Sequence, residues 1–366
     1  MESVTEKKRT LHFIYTVPQG TLLHRGWRRM SAATGVPPLH RCGTDALIGW
    51  KHPIRAPHSI SYNLLKEFKK KYRVKFYSMY EKGLIHLGPQ DVMIGQPVPV
   101  GQFNYEARSP TDDSDSIVSR TIRSNPHNKN KFLIMPFAND EGYIGWAKRI
   151  AGEADGLILI GGEYWQKDLS STPLGDLTKR VILGVNMAVD PKDYPLVKKR
   201  FNAKGTRKYL YIGHTGWYKN VAQLEAIAKS IPDFDGGHIG VGDVDGWKKI
   251  SEFTELSPAF MRKVAEEYDI SVGTSSADPQ ATTILEQMCF GFPMACTPQS
   301  GYEHSSILSL SVSDTALNRN LLMSLQEEDE SSLQERARQN REYALRCHSW
   351  ADFSNSVLSF IYEHQT

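Results

Sequence analysis

Short apolar runs alternate with amphipathic segments along the chain, and this alternation limits the possible folds more than any other feature of the sequence. Apolar runs bounded by Gly, Pro or polar residues are typical of parallel strands that are buried on both faces. The amphipathic segments between them predict crossover helices, so the expected fold class is α/β with Rossmann-like layers. Strands are predicted in the first half at 11–17, 73–77, 91–94, 131–135, 156–160 and 180–183, and in the second half at 209–213, 238–241 and 270–272.

The length of 366 residues predicts two domains rather than one. The polar, glycine-containing stretch 202–207 has the composition of a linker, so we expect an N-terminal domain at 1–202 and a C-terminal domain at 203–347. A final helix is expected in 348–366, because Ser349 and Asp352 have the spacing of a helix cap. The apolar face of this helix is predicted to comprise Trp350, Phe353, Val357 and Ile361.

Charge and cysteine content narrow the class of protein. The 44 basic and 41 acidic residues leave a formal charge of +3, which does not predict a nucleic-acid-binding surface. The four cysteines form no CxxC pair, and the chain opens with neither a signal-peptide pattern nor an 18-residue apolar run. These features predict an enzyme of the reducing cytoplasm.

The segment 273–293 is the most informative for chemistry. A predicted strand ends there, a polar loop follows, and a helix is expected to begin near Ala281, Thr282 and Thr283 with its free amides facing the loop. Such a helix end suits a diphosphate. Asp278 and Glu286 flank the helix start and could accept hydrogen bonds from sugar hydroxyls. Taken alone, the same two residues also fit a helix-terminal charge and a solvated helix residue.

Five elements in the same order resemble a known family. Segment 273–293 is similar to the E-x7-E region of retaining GT-B glycosyltransferases of family 4, here with Asp278 at the first position. Segment 209–220 resembles the strand-G-R-x4-K element of that family, with Lys219 at the lysine and His214 in place of the arginine. Segments 183–190, 238–243 and 348–350 look like three further elements.

The resemblance implies a GT-B fold, with two Rossmann-like domains, a cleft between them and a last helix that crosses back to the first domain. It implies hexosyl transfer from a nucleotide-diphosphate sugar, with retention of configuration and without a metal ion or cofactor. Lys219 and the amides of Ala281, Thr282 and Thr283 would stabilise the departing diphosphate, with His214 as a weaker contact. Asp278 would contact the sugar and Glu286 the ribose. In this class the donor's own phosphate assists deprotonation of the acceptor, so no protein base is expected.

The acceptor side is less defined by the sequence. Gln19 and Gly20 close the first predicted strand, and His58 stands at the start of the first amphipathic helix together with nearby His52. A structural role for these histidines is the competing interpretation. The acceptor is expected to be a carbohydrate, a lipid-linked group or another hydroxyl compound. Basic residues on and after that helix predict either a peripheral contact with anionic lipid or an ordinary solvated face: Lys66, Lys69, Lys70, Lys71 and Arg73.

Other readings of the sequence remain open. Residues 112–115, Asp-Asp-Ser-Asp, have DxD-like spacing, but no predicted strand precedes them and we expect a solvated loop. His214 and Asp278 depart from the family pattern and motivate an alternative, a non-catalytic GT-B subunit or nucleotide-sugar binding module. An epimerase of related fold would need further carboxylates and histidines that the sequence does not identify.

Overall fold

A computed structural model describes residues 9–16, 58–79, 83–97, 116–138, 151–167, 181–252 and 256–366. The first six strands form one parallel sheet in the order β2-β1-β3-β4-β5-β6. The runs of β1, β3, β4 and β5 are buried on both faces, as the sequence pattern predicts, whereas the edge strands β2 and β6 are partly exposed. The strands are β1 (Thr10–Tyr15), β2 (Arg73–Ser78), β3 (Val92–Gly95), β4 (Lys131–Pro136), β5 (Gly156–Ile160) and β6 (Val181–Val185).

The described helices of the first domain connect these strands. In α1 (His58–Lys71) the residues Ile60, Leu64 and Phe68 recur at helical spacing and are buried against the sheet. Helix α2 (Ile117–Ser124) begins at the cap Ser116, whose hydroxyl accepts a hydrogen bond from the Ser119 amide at 3.0 Å. The short helix α3 (Gly162–Lys167) follows β5 at the carboxyl end of the sheet.

The second sheet is also parallel, in the order β12-β11-β10-β7-β8-β9. The strands predicted at 209–213, 238–241 and 270–272 correspond to β7 (Tyr209–Ile212), β8 (Gly236–Ile239) and β10 (Ile270–Gly273), with β8 beginning two residues before the predicted bounds and ending two residues before their end. The sequence pattern does not predict β9 (Lys248–Ser251), β11 (Met294–Cys296) and β12 (Leu308–Ser309), which are short and lie at or next to the sheet edges. The helices of this domain are α4 (Val221–Ser230), α5 (Pro258–Glu267), α6 (Thr282–Phe290), α7 (Thr315–Glu327) and α8 (Glu330–Cys347).

The last helix, α9 (Trp350–His364), packs on the first domain, as predicted. The Ser349 hydroxyl caps it by accepting a hydrogen bond from the Asp352 amide at 3.0 Å. Phe353, Val357 and Ile361 of its apolar face are buried, and the Phe360 ring lies 5.9 Å from that of Phe132 on β4. Helix α9 therefore crosses back to the first domain.

The connection between the two sheets is fixed to the second domain by a buried ion pair. Lys198 Nζ lies 2.8 Å from Asp269 Oδ1, and the two side chains are 1% and 0% exposed. Asp269 also accepts hydrogen bonds from the Asn202 amide at 2.9 Å, the Asn202 side-chain nitrogen at 2.8 Å and the Lys208 amide at 3.0 Å. The domain boundary at 202–203 stays a prediction, but residues 198–208 are clearly anchored beside β10.

The described residues contain neither a membrane-spanning helix nor a cluster of metal-ligating side chains. Among the helices described, none combines the length and the apolar character needed to cross a membrane. Across the same ranges, no three His, Cys, Asp or Glu side chains are grouped closely enough to hold a metal ion. The Asp-Asp-Ser-Asp stretch at 112–115 lies outside the described residues.

Candidate active site

The strand order of the second sheet places the predicted donor residues at one point. From β7 the chain proceeds through β8 and β9 on one side, and through β10, β11 and β12 on the other. The loops that follow β7 and β10 therefore leave the sheet in opposite directions, and ligands of open α/β sheets bind at such a switch point. Lys219 lies in the loop after β7, and Asp278 in the loop after β10.

Hydrogen bonds hold these two loops together. The Ser276 amide donates to the Tyr218 carbonyl at 2.8 Å, and the Thr274 hydroxyl donates to the Asn220 carbonyl at 3.1 Å. Asn220 has a φ of 52°, a left-handed conformation that asparagine tolerates, which lets the chain turn directly from the 3-10 turn at Trp217–Lys219 into α4. The site is thus built on backbone contacts rather than on free loops.

Lys219 and Asp278 contact each other directly. Lys219 Nζ donates to Asp278 Oδ2, and the two side chains are 9% and 7% exposed. Lys219 Nζ also lies 5.4 Å from the centre of the Tyr218 ring. The sequence assigns the lysine to a diphosphate and the aspartate to a sugar, and the structure brings both to the same place, paired with each other.

His214 is held as a neutral side chain beside this pair. The Gly216 amide donates to Nδ1 at 2.9 Å, so the proton lies on Nε2, which is 2.8 Å from the Tyr218 hydroxyl. Burial, and then the positive charge of Lys219, lower the pKa of His214. His214 therefore supplies no second cation where the family pattern has arginine.

Helix α6 begins beside Asp278, as predicted. Ala281 occupies the cap position with no side-chain hydrogen bond to the helix, so no side chain competes for the first amides at Thr282 and Thr283. The Tyr302 hydroxyl donates to the Ala281 carbonyl at 2.8 Å and fixes the start of the helix. Burial, and to a lesser extent the charges of Asp278 and Glu286, raise the pKa of Tyr302.

Glu286 lies inside the second domain, on α6. Its side chain is buried, and Oε1 accepts a hydrogen bond from the Tyr194 hydroxyl at 3.3 Å. Tyr194 belongs to the segment between the sheets, and its ring packs edge-on against Phe290 at 5.4 Å. The assignment of Glu286 to a ribose stays a prediction.

Helix α3 of the first domain docks directly on the loop that carries Asp278. The Trp165 indole nitrogen donates to the Asp278 carbonyl at 2.8 Å, and Gln299 donates to the Tyr164 hydroxyl at 3.0 Å. Gly162 has a φ of 66°, and a Cβ there would lie 2.1 Å from the Gly301 carbonyl oxygen. Only glycine allows this close approach of the two domains.

Gln280 makes a further contact between the two domains, close to the start of the final helix. Its Oε1 accepts a hydrogen bond from the Met187 amide, and its Nε2 donates to the Gly301 carbonyl at 3.3 Å. The Met187 carbonyl in turn accepts from His348 Nδ1 at 2.8 Å. His348 is buried against the rings of Tyr343 and Tyr302 at 5.0 and 5.6 Å.

Burial lowers the pKa of His348 to about 4 from an ordinary value of 6.5. Because the folded-state pKa is depressed, this histidine contributes stability that is present above pH 6.5 and is lost as the pH falls toward 4. The loss should approach about 3 kcal/mol at low pH, at about 1.36 kcal/mol per pKa unit. Urea unfolding at several pH values should show this slope.

His348→Gln is the matched variant for this measurement. It keeps a donor for the Met187 carbonyl but has no titrating ring, so it should flatten the slope by about one proton. Four other histidines, whose pKa values are also lowered chiefly by desolvation, act in the same direction and should leave a residual slope: His12, His58, His214 and His238. An unchanged slope in the variant would assign the acid sensitivity to those groups instead.

The predicted acceptor residues are only partly described. Gln19 and Gly20 lie outside the described residues, as does His52. His58 begins α1, after β1, and burial lowers its pKa. Gln96 follows β3, and its buried Oε1 has no hydrogen-bond partner among the described residues. The strand order 2-1-3-4-5-6 puts the switch point of the first sheet between β1 and β3, next to Gln96.

The residues that join the two domains are not among those predicted from the sequence. The paired glycines Gly161 and Gly162 after a buried strand are a signal for close backbone approach that could have been used. Gln280 lies within the segment singled out for chemistry, but no local pattern separates it from its neighbours. Trp165 gives no signal, because its partner is 113 residues away.

No protein-family model and no curated protein matches the sequence. The structure is similar to a UDP-forming α,α-trehalose-phosphate synthase from Burkholderia xenovorans, with a TM-score of 0.60 and 9% identity over 98% of this chain and 100% of that chain. A sucrose-phosphate synthase from Thermosynechococcus elongatus gives a TM-score of 0.59 and 11% identity over 97% and 99% of the two chains. The pneumococcal O-GlcNAc transferase GtfA, in complex with UDP and GlcNAc, gives 0.50 and 12% over 76% and 57%.

These similarities identify the fold. The chain has the GT-B fold, as predicted, with two Rossmann-like domains and a six-stranded parallel sheet in each. It spans only 58% of a matched chain in the GtfA/B complex, and 57% of GtfA alone. At 9–12% identity the likeness reaches no further than the fold.

Proposed function

We propose that the chain is a glycosyltransferase that moves a sugar from a nucleotide-diphosphate sugar to a hydroxyl acceptor with retention of configuration. The observation that carries this proposal is the position of Lys219, which lies at the switch point of the second GT-B sheet beside Asp278 and near the uncapped start of α6. A buried lysine and free helix amides together form a site for an anion.

The chemistry of a departing diphosphate explains why these groups would be needed. Negative charge grows on the phosphate oxygens as the glycosidic bond breaks, and a cation held there stabilises the transition state more than the ground state. Lys219 would supply that cation, and the amides of Thr282 and Thr283 would add donors. Because these groups meet the charge of the diphosphate, the proposed reaction requires neither a metal ion nor a resident cofactor.

Retention and the absence of a protein base are part of the same proposal. A phosphate oxygen of the leaving group would take the proton of the acceptor hydroxyl on the face from which the diphosphate departs. Asp278 would accept a hydrogen bond from a hydroxyl of the transferred sugar, and Glu286 one from the ribose. His214, neutral and hydrogen-bonded on both nitrogens, would be at most a neighbour of the phosphates.

We propose that the acceptor enters from the first domain, past Gln19, Gly20 and His58, and is a carbohydrate, a lipid-linked group or another hydroxyl compound.

A cytoplasmic location with peripheral membrane contact belongs to the same proposal. Of the basic residues on and after α1, Lys66, Lys70, Lys71 and Arg73 are exposed. Lys70 Nζ also forms an ion pair with Glu67 Oε2 at 2.7 Å. Binding to vesicles with and without anionic lipid tests this contact.

The direct test is a screen of nucleotides and nucleotide-sugars by thermal unfolding, followed by an assay for sugar release and transfer. UDP-sugars are the first probes, since the similar synthase from Burkholderia xenovorans is UDP-forming and GtfA was solved with UDP. A specific ligand at about 100 times its dissociation constant should add about 2.7 kcal/mol of stability. Stabilisation by no nucleotide or nucleotide-sugar would contradict the proposal.

A nucleotide-sugar binding module without turnover is the second candidate. The direct Lys219–Asp278 contact and the neutral His214 favour it, because together they leave the site with less net positive charge than the family pattern provides. The two candidates differ in one readout. A module binds the nucleotide-sugar and leaves it intact, whereas a transferase releases nucleoside diphosphate in the presence of acceptor or water.

Glu286→Ala should weaken nucleotide binding roughly 10- to 100-fold, because a buried carboxylate that accepts hydrogen bonds from ribose contributes about 1.5–3 kcal/mol. Calorimetry on the wild type and the variant measures the change. Glu266→Ala, which removes an exposed glutamate from another helix of the same domain, is the matched control and should bind as the wild type does. Equal affinities in all three proteins would remove Glu286 from the ribose site.

A further inference from the structure

We propose that Asp278 is an internal counter-anion of the donor site, which exchanges Lys219 for a sugar hydroxyl when a nucleotide-sugar binds. This inference rests on the proposed function and deepens it. In the structure the carboxylate contacts Lys219 directly, and both side chains are largely buried, so the charge of the lysine is already neutralised. A phosphate that approaches Lys219 would meet the negative charge of Asp278 at close range, where screening by water is weak.

The backbone of Asp278 is fixed, so the exchange is confined to its side chain. The Asp278 amide donates to the Gln299 carbonyl at 3.0 Å, and its carbonyl accepts from the Trp165 indole nitrogen at 2.8 Å. Because Trp165 belongs to the first domain, docking of α3 sets the position from which the carboxylate turns. Trp165 is therefore a positioning residue for the pair.

The exchange gives the site a way to distinguish donor from product. A nucleotide-sugar offers a diphosphate to Lys219 and a hydroxyl to Asp278, so both groups keep a partner. A nucleoside diphosphate or pyrophosphate offers only the anion and leaves a buried carboxylate without a partner, which is unfavourable. The wild-type protein should therefore disfavour anions that lack the sugar, and Asp278 should be the cause.

Calorimetry with inorganic pyrophosphate tests this without knowledge of the nucleotide base. Asp278→Asn keeps the size of the side chain and removes its charge, and it should bind pyrophosphate roughly 10- to 100-fold more tightly than the wild type. Asp278→Glu keeps the charge and should stay near the wild-type affinity. Glu303→Gln removes an exposed carboxylate that pairs with Lys167 at 2.6 Å, and as the matched control it should leave the affinity unchanged.

An Asp278→Asn protein with unchanged or weaker pyrophosphate affinity would overturn the counter-anion role. Equal tightening in Glu303→Gln would also overturn it, because the effect would then be one of general charge. If Asp278→Asn does not fold, Asp278→Ser is judged by the same criterion. Failure of every protein to bind pyrophosphate, nucleoside diphosphates and nucleotide-sugars would instead refute the proposed donor site, so the two failures are distinguishable.

Discussion

Asp269→Ala should lower the free energy of unfolding of the second domain by about 3–5 kcal/mol, the range expected when one partner of a buried ion pair is removed. The variant leaves Lys198 buried without a carboxylate, with the Ala265 carbonyl 2.8 Å away and the centre of the Phe201 ring 5.0 Å away. It also removes the acceptor of three hydrogen bonds that hold 202–208 beside β10. Burial already lowers the pKa of Lys198, so its charged form depends on Asp269.

Denaturant unfolding followed by circular dichroism measures this effect. Asp245→Asn is the control, because Asp245 pairs with Lys229 at 2.8 Å but both side chains are about two-thirds exposed. Exposed pairs contribute little to stability, so its unfolding midpoint should stay near that of the wild type. If Asp269→Ala were as stable as this control, the Lys198–Asp269 pair could not be what anchors the connection between the sheets.

The layers of the fold could be predicted from the sequence because their signals are local. The runs that form β1, β5 and β10 are apolar and short, and a strand buried on both faces needs no other information. The cap of α9 is equally local, since Ser349 and Asp352 are three residues apart. Short edge strands such as β12, with two residues, carry too few apolar positions for such a signal.

The candidate site likewise combines residues that local sequence signals predict with contacts that only the tertiary structure determines. Lys219, Asp278 and the start of α6 could be predicted, because each follows a recognisable strand and the resemblance to family 4 is carried by short motifs. The pairing of Lys219 with Asp278 could not, since it depends on the order of β7 and β10 in the sheet and joins residues 59 apart. The contact of Trp165 with Asp278 depends further on how two separate sheets dock.

This pairing changes how the role of Lys219 must be tested. Lys219→Ala should reduce turnover by about 10²–10³-fold and should reduce donor affinity less, because the interaction strengthens as charge grows on the departing diphosphate. The variant also leaves Asp278 buried without its lysine, which will lower stability. Steady-state rates must therefore be measured at a temperature well below the thermal unfolding midpoint of each protein.

Turnover should also be measured for Asp278→Asn and for the double variant that carries both Lys219→Ala and Asp278→Asn. If Lys219 acted only as the partner of Asp278, the double variant would turn over at the rate of Asp278→Asn, since both proteins lack the sugar contact and neither keeps an unpaired charge. If Lys219 meets the diphosphate, the double variant should be about 10²–10³-fold slower than Asp278→Asn. Lys229→Ala, which removes an exposed lysine of the same domain, should turn over as the wild type does.

His214→Arg tests the same site by adding a positive charge instead of removing one. An arginine at this position would supply the second cation of the family 4 pattern at the same spacing and should tighten diphosphate binding, because guanidinium stays charged where the imidazole, which accepts a hydrogen bond at Nδ1, is neutral. Its effect requires that residue 214 face the phosphates, so an unaltered affinity would place it elsewhere. Should Lys219→Ala also remain fully active, both residues would lie away from the reaction, and the binding-module candidate would be the better account of the same fold.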